Sequence, residues 1–248
     1  MTVTVLLAAA AAAVHRFSLS GQLDPEKWAV FGQPAVLGYL LQALGVTLIV
    51  TAVSAVLALP LGVALALARL SRSRLLRLPA TGWVEALRAV PLLLLVYAFL
   101  LGLPAAGLHV PLFWQLVCPI VLTNSAVLAE IFRAGVQGIP RGQTEAGYAL
   151  GLGYWATLRL VVLPQAVRHS SPALVGQLVR LLKDSTLGYV VSVLELLNAA
   201  KVLGEFNHSI VQAYLVVAAV FVAVNGLLAV LASRLERRVG GGPRPGSS

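Results

Sequence analysis

The chain has 248 residues, of which 59% are hydrophobic and 11% charged. A soluble domain carries about 25% charged residues, so a water-soluble fold is excluded and the chain reads as a polytopic membrane protein. Thirteen of the eighteen Lys and Arg behind the net charge of +9 fall in three segments, 69–88, 133–168 and 234–244, where they flank apolar runs; that grouping marks cytoplasmic loops and excludes a nucleic-acid patch.

Residues 1–14, "MTVTVLLAAAAAAV", hold an apolar stretch of about 12 residues, short for a span and without the positive n-region of a signal peptide. A retained short helix and a shortened start both stay open. Residues 1–35 form an N-terminal segment and external lead-in, with Trp28 to about Gly38, including Pro34, at the interface. A membrane domain then covers 36–238.

Residues 28–68 and 89–129 each lack a charged side chain for 41 residues, and a bilayer core takes about 20 helical residues. The first run predicts one span, Tyr39–Ala68. The second holds two, broken at "GLPAAGLHVP" (102–111), whose prolines and glycines and lack of Lys or Arg predict an external loop. The third span is predicted at Phe113–Phe132 and the last at Asn207–Ser233. The following "RLERRVGGGPRPGSS" places the C-terminus in the cytoplasm, with 239–248 a disordered tail. Residues 169–194 are poor in hydropathy because of Arg180, Lys183 and Asp184, yet parity requires them to cross.

Cys118, in "FWQLVCPIVL", is the sole cysteine, so no internal disulfide or cysteine metal cluster is possible; it reads as a small buried hydrophobe. His15, His109, His169 and His208 show no metal-site spacing and read as interfacial.

The cytoplasmic segment 140–165 is too polar and too glycine-broken to cross. "RGQTEAGYAL" (141–150) predicts a helix after Pro140, stopped by Gly151 and Gly153. A second helix, Tyr154–Val162, is predicted to end at Pro164. From the residues alone this pair serves either as a connector on the membrane surface or as a rigid knob. "GLGYWA" (151–156) fits a loose dinucleotide pattern but fails on context: a helix precedes it, and the next acidic residue is Asp184.

The same stretch resembles the EAA loop of bacterial ABC importer permeases: Glu145-Ala146-Gly147, then Gly151, Val161, Leu163 and Pro164 at matching spacing. Gly147 stands in place of Ala, a change expected to loosen the first helix by up to about 1 kcal/mol, and Val161 stands in place of Ile. "NSAVLAEIFRAGVQGIPRGQTEAG" (124–147) and "LLKDSTLGYVVSVLELLNAA" (181–200) are similar to the polar amino acid uptake family of histidine, glutamine, glutamate and arginine permeases. "RGQTEAG" and "GQLDPEKW" (21–28) look most like the glutamate type.

The resemblance implies an all-α type I permease fold with five core spans, a possible short extra N-terminal helix and a cytoplasmic coupling helix. It also implies an address in the bacterial inner membrane. The coupling residues would be Glu145, Ala146, Gly147, Gly151, Gly153, Leu163 and Pro164. Expected partners are an identical or homologous permease, two ATPases using ATP and Mg, and an extracytoplasmic solute-binding protein. The chain itself binds no cofactor on this reading, since its lysines, Lys27, Lys183 and Lys201, follow Glu, Leu and Ala and form no P-loop.

Asn124, Ser125, Lys183, Asp184, Ser185 and Thr186 are the candidate solute path, because "KDST" is expensive to bury unless it serves a zwitterion. Glu130 with Arg133, and Arg180 with Asp184, are i,i+3 and i,i+4 pairs that can neutralise each other. The rival classes are an ion-gradient-driven amino acid transporter, with such residues as carriers, and a membrane scaffold without transport.

Overall fold

The computed structural model describes residues 4, 5, 12 and 15–239; the reading of 1–14 as a short helix lies largely outside them, as does that of 239–248 as a disordered tail, except that Val239 still belongs to the last helix. Every regular element among the described residues is helical. The main ones are α1 (Pro25–Ala29), α2 (Pro34–Leu70), α3 (Arg74–Ala89), α4 (Leu92–Ala105), α5 (Leu112–Gln137), α6 (Arg141–Ala149), α7 (Tyr154–Thr157), α8 (Leu163–Asp184), α9 (Leu196–Phe206) and α10 (Ile210–Val239).

Helix α2 begins at Pro34, whose missing N–H is harmless in a first turn. Its 37 residues extend about 55 Å, so the interfacial lead-in ends at Gln33, about five residues earlier than its composition suggested. Three apolar layers stack along it. Leu40 and Ala43 meet Phe31, α9 and α10; Val50 meets α4, α5 and Leu181; Ala66 meets α3 and α5. Helices α2, α5 and α10 are long and apolar enough to cross a membrane among the described residues.

The second crossing is a broken one. Helices α3 and α4 meet at 96° across Val90 and Pro91. Pro91 has no N–H to donate into α3 and disfavours helical backbone at Val90, which is extended (φ −85°, ψ 126°). Helix α4 alone rises about 21 Å, too little for the hydrocarbon core. It also runs through Pro104 to Ala105, so the predicted loop 102–111 is reduced to 106–111.

Helix α8 fails the apolar test, as its charges foretold, and crosses by packing between α5 and α10. Small residues permit the close approach: a Cβ on Gly135 of α5 would lie 2.0 Å from Ser170 Oγ and 3.2 Å from the Ala166 carbonyl. On the α2 side, a Cβ on Gly62 would lie 2.6 Å from Leu128 Cβ and 3.0 Å from the Ser125 carbonyl. Such contacts replace the hydrophobic drive that lipid cannot supply.

The crossing placed at 169–194 in fact runs as helix from Leu163 to Asp184, followed by a 3-10 turn, Ser185–Tyr189. The chain then turns back through 190–195 into α9, an element that hydropathy did not reveal. Its buried N-terminus is fully capped: the Glu195 carboxylate accepts from Leu197 N and Asn198 N, both at 2.8 Å, and Thr47 Oγ1 of α2 accepts from Leu196 N at 3.0 Å. Unsatisfied amides there would be expensive without water, which accounts for a carboxylate in so apolar a place. Helix α10 begins at Ile210 rather than Asn207, because His208 takes a left-handed turn (φ 51°). Cys118 is half-buried rather than fully enclosed.

Candidate functional site

Three features lie between the cytoplasmic end and the middle of the bundle. The first is the cytoplasmic knob. Helix α6 starts after Pro140 and ends at Ala149, and Gly151 makes the turn with φ +78°, a left-handed conformation that favours glycine. Gly153 is extended (φ −70°, ψ 169°) and open on its Cβ side, so it serves as the entry to α7 without a steric need for glycine.

Gly147 is buried, and a Cβ there would lie 2.5 Å from Thr157 Cγ2 and 3.0 Å from its Oγ1. The expected loosening of α6 is therefore replaced by a tight crossing of α6 over α7, in which Thr157 occupies the space that an alanine would need. Glu145, Ala146, Tyr148, Leu150 (81% exposed), Trp155 and Leu160 are exposed, as are Arg141 and Arg159, so the knob's surface mixes apolar side chains with charges of both signs.

Pro164 does not end the second helix. A π-helical turn, Leu158–Val162, connects α7 to α8 without a break, and Leu163 and Pro164 sit in the first turn of α8. A proline clashes with the carbonyl four residues back, here Leu160; the wider turn removes that conflict. The knob is thus continuous with a membrane crossing. Gln165 Nε2 donates to Gln143 Oε1 at 3.0 Å and ties α6 to the same rod.

The second feature is a carboxylate surrounded by arginines. Glu130 of α5 accepts from Arg69 of α2 at 2.6 Å and from both Nε (3.1 Å) and Nη2 of Arg133, while Arg88 of α3 lies 3.8 Å away. The intrahelical pair expected from sequence is present, and two further helices join it. Arg180 and Asp184 make no ion pair within 4 Å, but they line one cavity, where the Arg180 charge partly offsets that of Asp184 at longer range.

The third feature is a polar cavity of about 460 Å³ at the break between α3 and α4. Arg88 and the Val90–Pro91 break form one wall, Thr123 and Asn124 of α5 another, and Arg180 and Asp184 of α8 the third. The break leaves backbone groups of two helix ends without intrahelical partners beside it. Asn124 Nδ2 donates to Asp184 Oδ2 at 2.9 Å, and Gln177 Nε2 donates to Asn124 Oδ1. That chain fixes the Asn124 orientation and presents one carboxylate oxygen; no donor among the described residues reaches the other.

The structure divides the six predicted path residues. Asn124 and Asp184 share this cavity. Ser125 is buried against Gly62 and donates to Leu122 O; Ser185 is buried and donates to Leu182 O. Lys183 and Thr186 turn the other way, into a separate cavity against α9 and α10. A helix rotates about 100° per residue, so consecutive "KDST" positions do not share a face. Arg88 was missed because it was read only as a topology signal, and Arg180 because it was assigned to Asp184. Among the described residues no His, Cys, Asp and Glu group could hold a metal ion.

A family model described as "Binding-protein-dependent transport system inner membrane component" matches residues 58–241. The chain belongs to that family. The permease is 36% identical over 230 residues to the glutamate transport system permease protein GluD of Corynebacterium glutamicum, covering 90% of this chain and 83% of that one. It is 33% identical over 210 residues to the glutamate/aspartate import permease protein GltK of Escherichia coli, covering 82% and 94%. A crystal structure of an amino acid ABC transporter with histidines superposes with a TM-score of 0.78 at 29% identity, covering 82% of this chain and 94% of that one. The permease is therefore an all-α, type I ABC importer subunit of the inner membrane, and a transport component rather than an ATPase.

Proposed function

We propose that the permease forms half of a path for acidic amino acids, glutamate and its relatives, in an ATP-driven importer. The observation that carries the solute class is the cavity lined by Arg88, Arg180 and Asp184. An acidic amino acid at neutral pH has two carboxylates and one ammonium, and these side chains complement it group for group. Guanidinium forks bind carboxylates in bidentate fashion, and the free oxygen of Asp184 suits an ammonium. The glutamate names of two relatives support the same class.

In this reading the outward face of α6, with Glu145 and Ala146, docks on a cytoplasmic ATPase that uses ATP and Mg, and Gly147 holds that helix close against Thr157 of α7. Gly151 and Gly153 shape the turn, and Leu163 and Pro164 carry displacement into α8. A second permease, identical or homologous, completes the path about a two-fold axis, and an extracytoplasmic binding protein delivers the solute. The C-terminus faces the cytoplasm. Transport proceeds by alternating access of rigid bundles.

The test is uptake of labelled glutamate, glutamine, arginine and histidine into proteoliposomes holding the assembled importer, with enclosed ATP or with an ion gradient only. Glutamate uptake that needs ATP is expected. Asp184→Ala should abolish it while the subunits still co-purify, and Arg180→Gln should shift preference from glutamate toward glutamine. Normal uptake by Asp184→Ala refutes the site, and uptake driven by a gradient without ATP replaces the importer with a secondary transporter.

A further inference from the structure

The three features are physically contiguous through the cytoplasmic end of α2 and Arg88. Tyr154, the first residue of α7, donates its hydroxyl to the carbonyl of Leu70 at 2.8 Å, and the guanidinium of Arg72 lies 4.5 Å from the centre of its ring. Leu70 ends α2, where carbonyls lack helical donors, so the knob supplies a cap for a membrane crossing. One residue earlier, Arg69 is 8% exposed in its side chain and is held by Glu130. Arg88, the loosest of Glu130's three cations, lines both the Asp184 cavity and a neighbouring one of about 410 Å³ that contains Glu130 and His169.

Glu130 has two oxygens and three guanidiniums around it. Arg133 engages both oxygens from the same helix, and Arg69 takes one of them at 2.6 Å, leaving Arg88 at 3.8 Å. Buried Arg69 Nε has no acceptor, so the cluster is short of one acceptor site. Any shift of Arg69 away from Glu130 opens a position that Arg88 is placed to fill.

We propose that the end of α2 and the two residues that follow it, Arg69–Arg72, relay displacement of the knob to the solute cavity, with Arg88 exchanging between Glu130 and a solute carboxylate. Tyr154, Arg72 and Arg69 are positioning residues that act through Arg88. When the knob moves, Tyr154 draws on the Leu70 carbonyl and the Arg72 side chain, and Arg69 moves with them. Glu130 then takes Arg88, and the solute loses one of its two cations. The relay rests on the coupling reading above, and it adds a specific route between the two sites.

The experiment measures ATP hydrolysed per glutamate imported by the assembled importer in proteoliposomes. Tyr154→Phe keeps the ring under Arg72 and removes the bond to Leu70; Arg72→Gln removes the cation. The two combined should raise the ATP-to-solute ratio by about fivefold, the low end of coupling between distinct sites. Arg72→Lys should restore part of the coupling, since it keeps a cation over the ring. Adding Tyr154→Phe to Arg88→Lys should change the ratio no further than Arg88→Lys alone, because both lie on one route.

Leu150→Asp on the knob's outward face separates the two readings. If it leaves the ATPase bound and the ratio normal, the coupling reading fails and the relay with it. If it releases the ATPase while Tyr154→Phe with Arg72→Gln imports at the wild-type ratio, the relay alone is overturned.

Discussion

Replacing Gly147 by alanine restores the residue usual in the loop this segment resembles, and helix propensity alone predicts a gain of about 1 kcal/mol. The structure reverses the sign. The added Cβ would sit 2.5 Å from Thr157 Cγ2, 3.0 Å from Oγ1 and 3.2 Å from Cβ. Thr157 is 1% exposed and belongs to the helix that leads into a membrane crossing, so it has no solvent into which to turn. Overpacking of this kind costs about 1–3 kcal/mol. Against the propensity gain, Gly147→Ala should leave the knob less stable by up to about 2 kcal/mol, which corresponds to up to about 30-fold in a local opening equilibrium. Amide hydrogen exchange across 141–157 in nanodiscs reads that equilibrium directly. In a Thr157→Ala background the two nearest atoms are gone and only the 3.2 Å approach to Cβ remains, so Gly147→Ala should slow exchange relative to that background, by up to about fivefold, as propensity requires. The Thr157 hydroxyl contributes little of its own, since its bond to Leu152 O is long at 3.5 Å. Slower exchange for Gly147→Ala in the otherwise unchanged chain, or the same effect in both backgrounds, would refute the packing account.

Gly151→Ala should weaken ATPase co-purification, because a left-handed alanine costs about 1–2 kcal/mol, and Gly151→Asn should do so less; Gly153→Ala, with ordinary dihedrals and open space, should not. Gly135→Ala and Gly62→Ala should each lower the thermal midpoint, by about 1–3 kcal/mol of overpacking, because backbone carbonyls stand behind the first clashing atoms; Gly176→Ala, with nothing within 4 Å, is the matched control. Glu130→Ala leaves Arg69 buried beside Arg133 without an acceptor, so a loss of about 3 kcal/mol is expected in thermal unfolding of the purified subunit. An unchanged midpoint would show that the arginines find other partners.

The long apolar helices were legible because 41 residues without a charge leave few alternatives: Tyr39–Ala68 lies within Pro34–Leu70, and Phe113–Phe132 within Leu112–Gln137. Parity located the α8 crossing but set its limits wrongly, since Pro164 reads as a stop unless the preceding turn is known to widen. Helix α9 escaped notice because its eleven residues are too short for a hydropathy window. Its signal was nonetheless present, in the Glu195 cap followed by Leu196, Ala199, Ala200 and Leu203 at helical spacing. Helix α3 was hidden behind its arginines, whose value as topology markers obscured the buried stripe Ala80, Val84 and Leu87. The turn at Gly151 was readable, whereas Gly153 shows no steric need for glycine. The pairing of Asn124 with Asp184 across sixty residues was suspected only as a shared path, and the roles of Arg88 and Gly147 required knowledge of what stands opposite them.

The wide turn at Leu158–Val162 sets the angular phase of α8 relative to α7. A helix advances about 100° per residue, so deleting one residue from that turn, and so tightening it to an ordinary helix, would rotate either the knob or Asp184 by about that angle. The azimuth at which the knob meets the cytoplasm and the azimuth at which α8 presents its carboxylate to Asn124 are therefore set together by one surplus residue in the main chain.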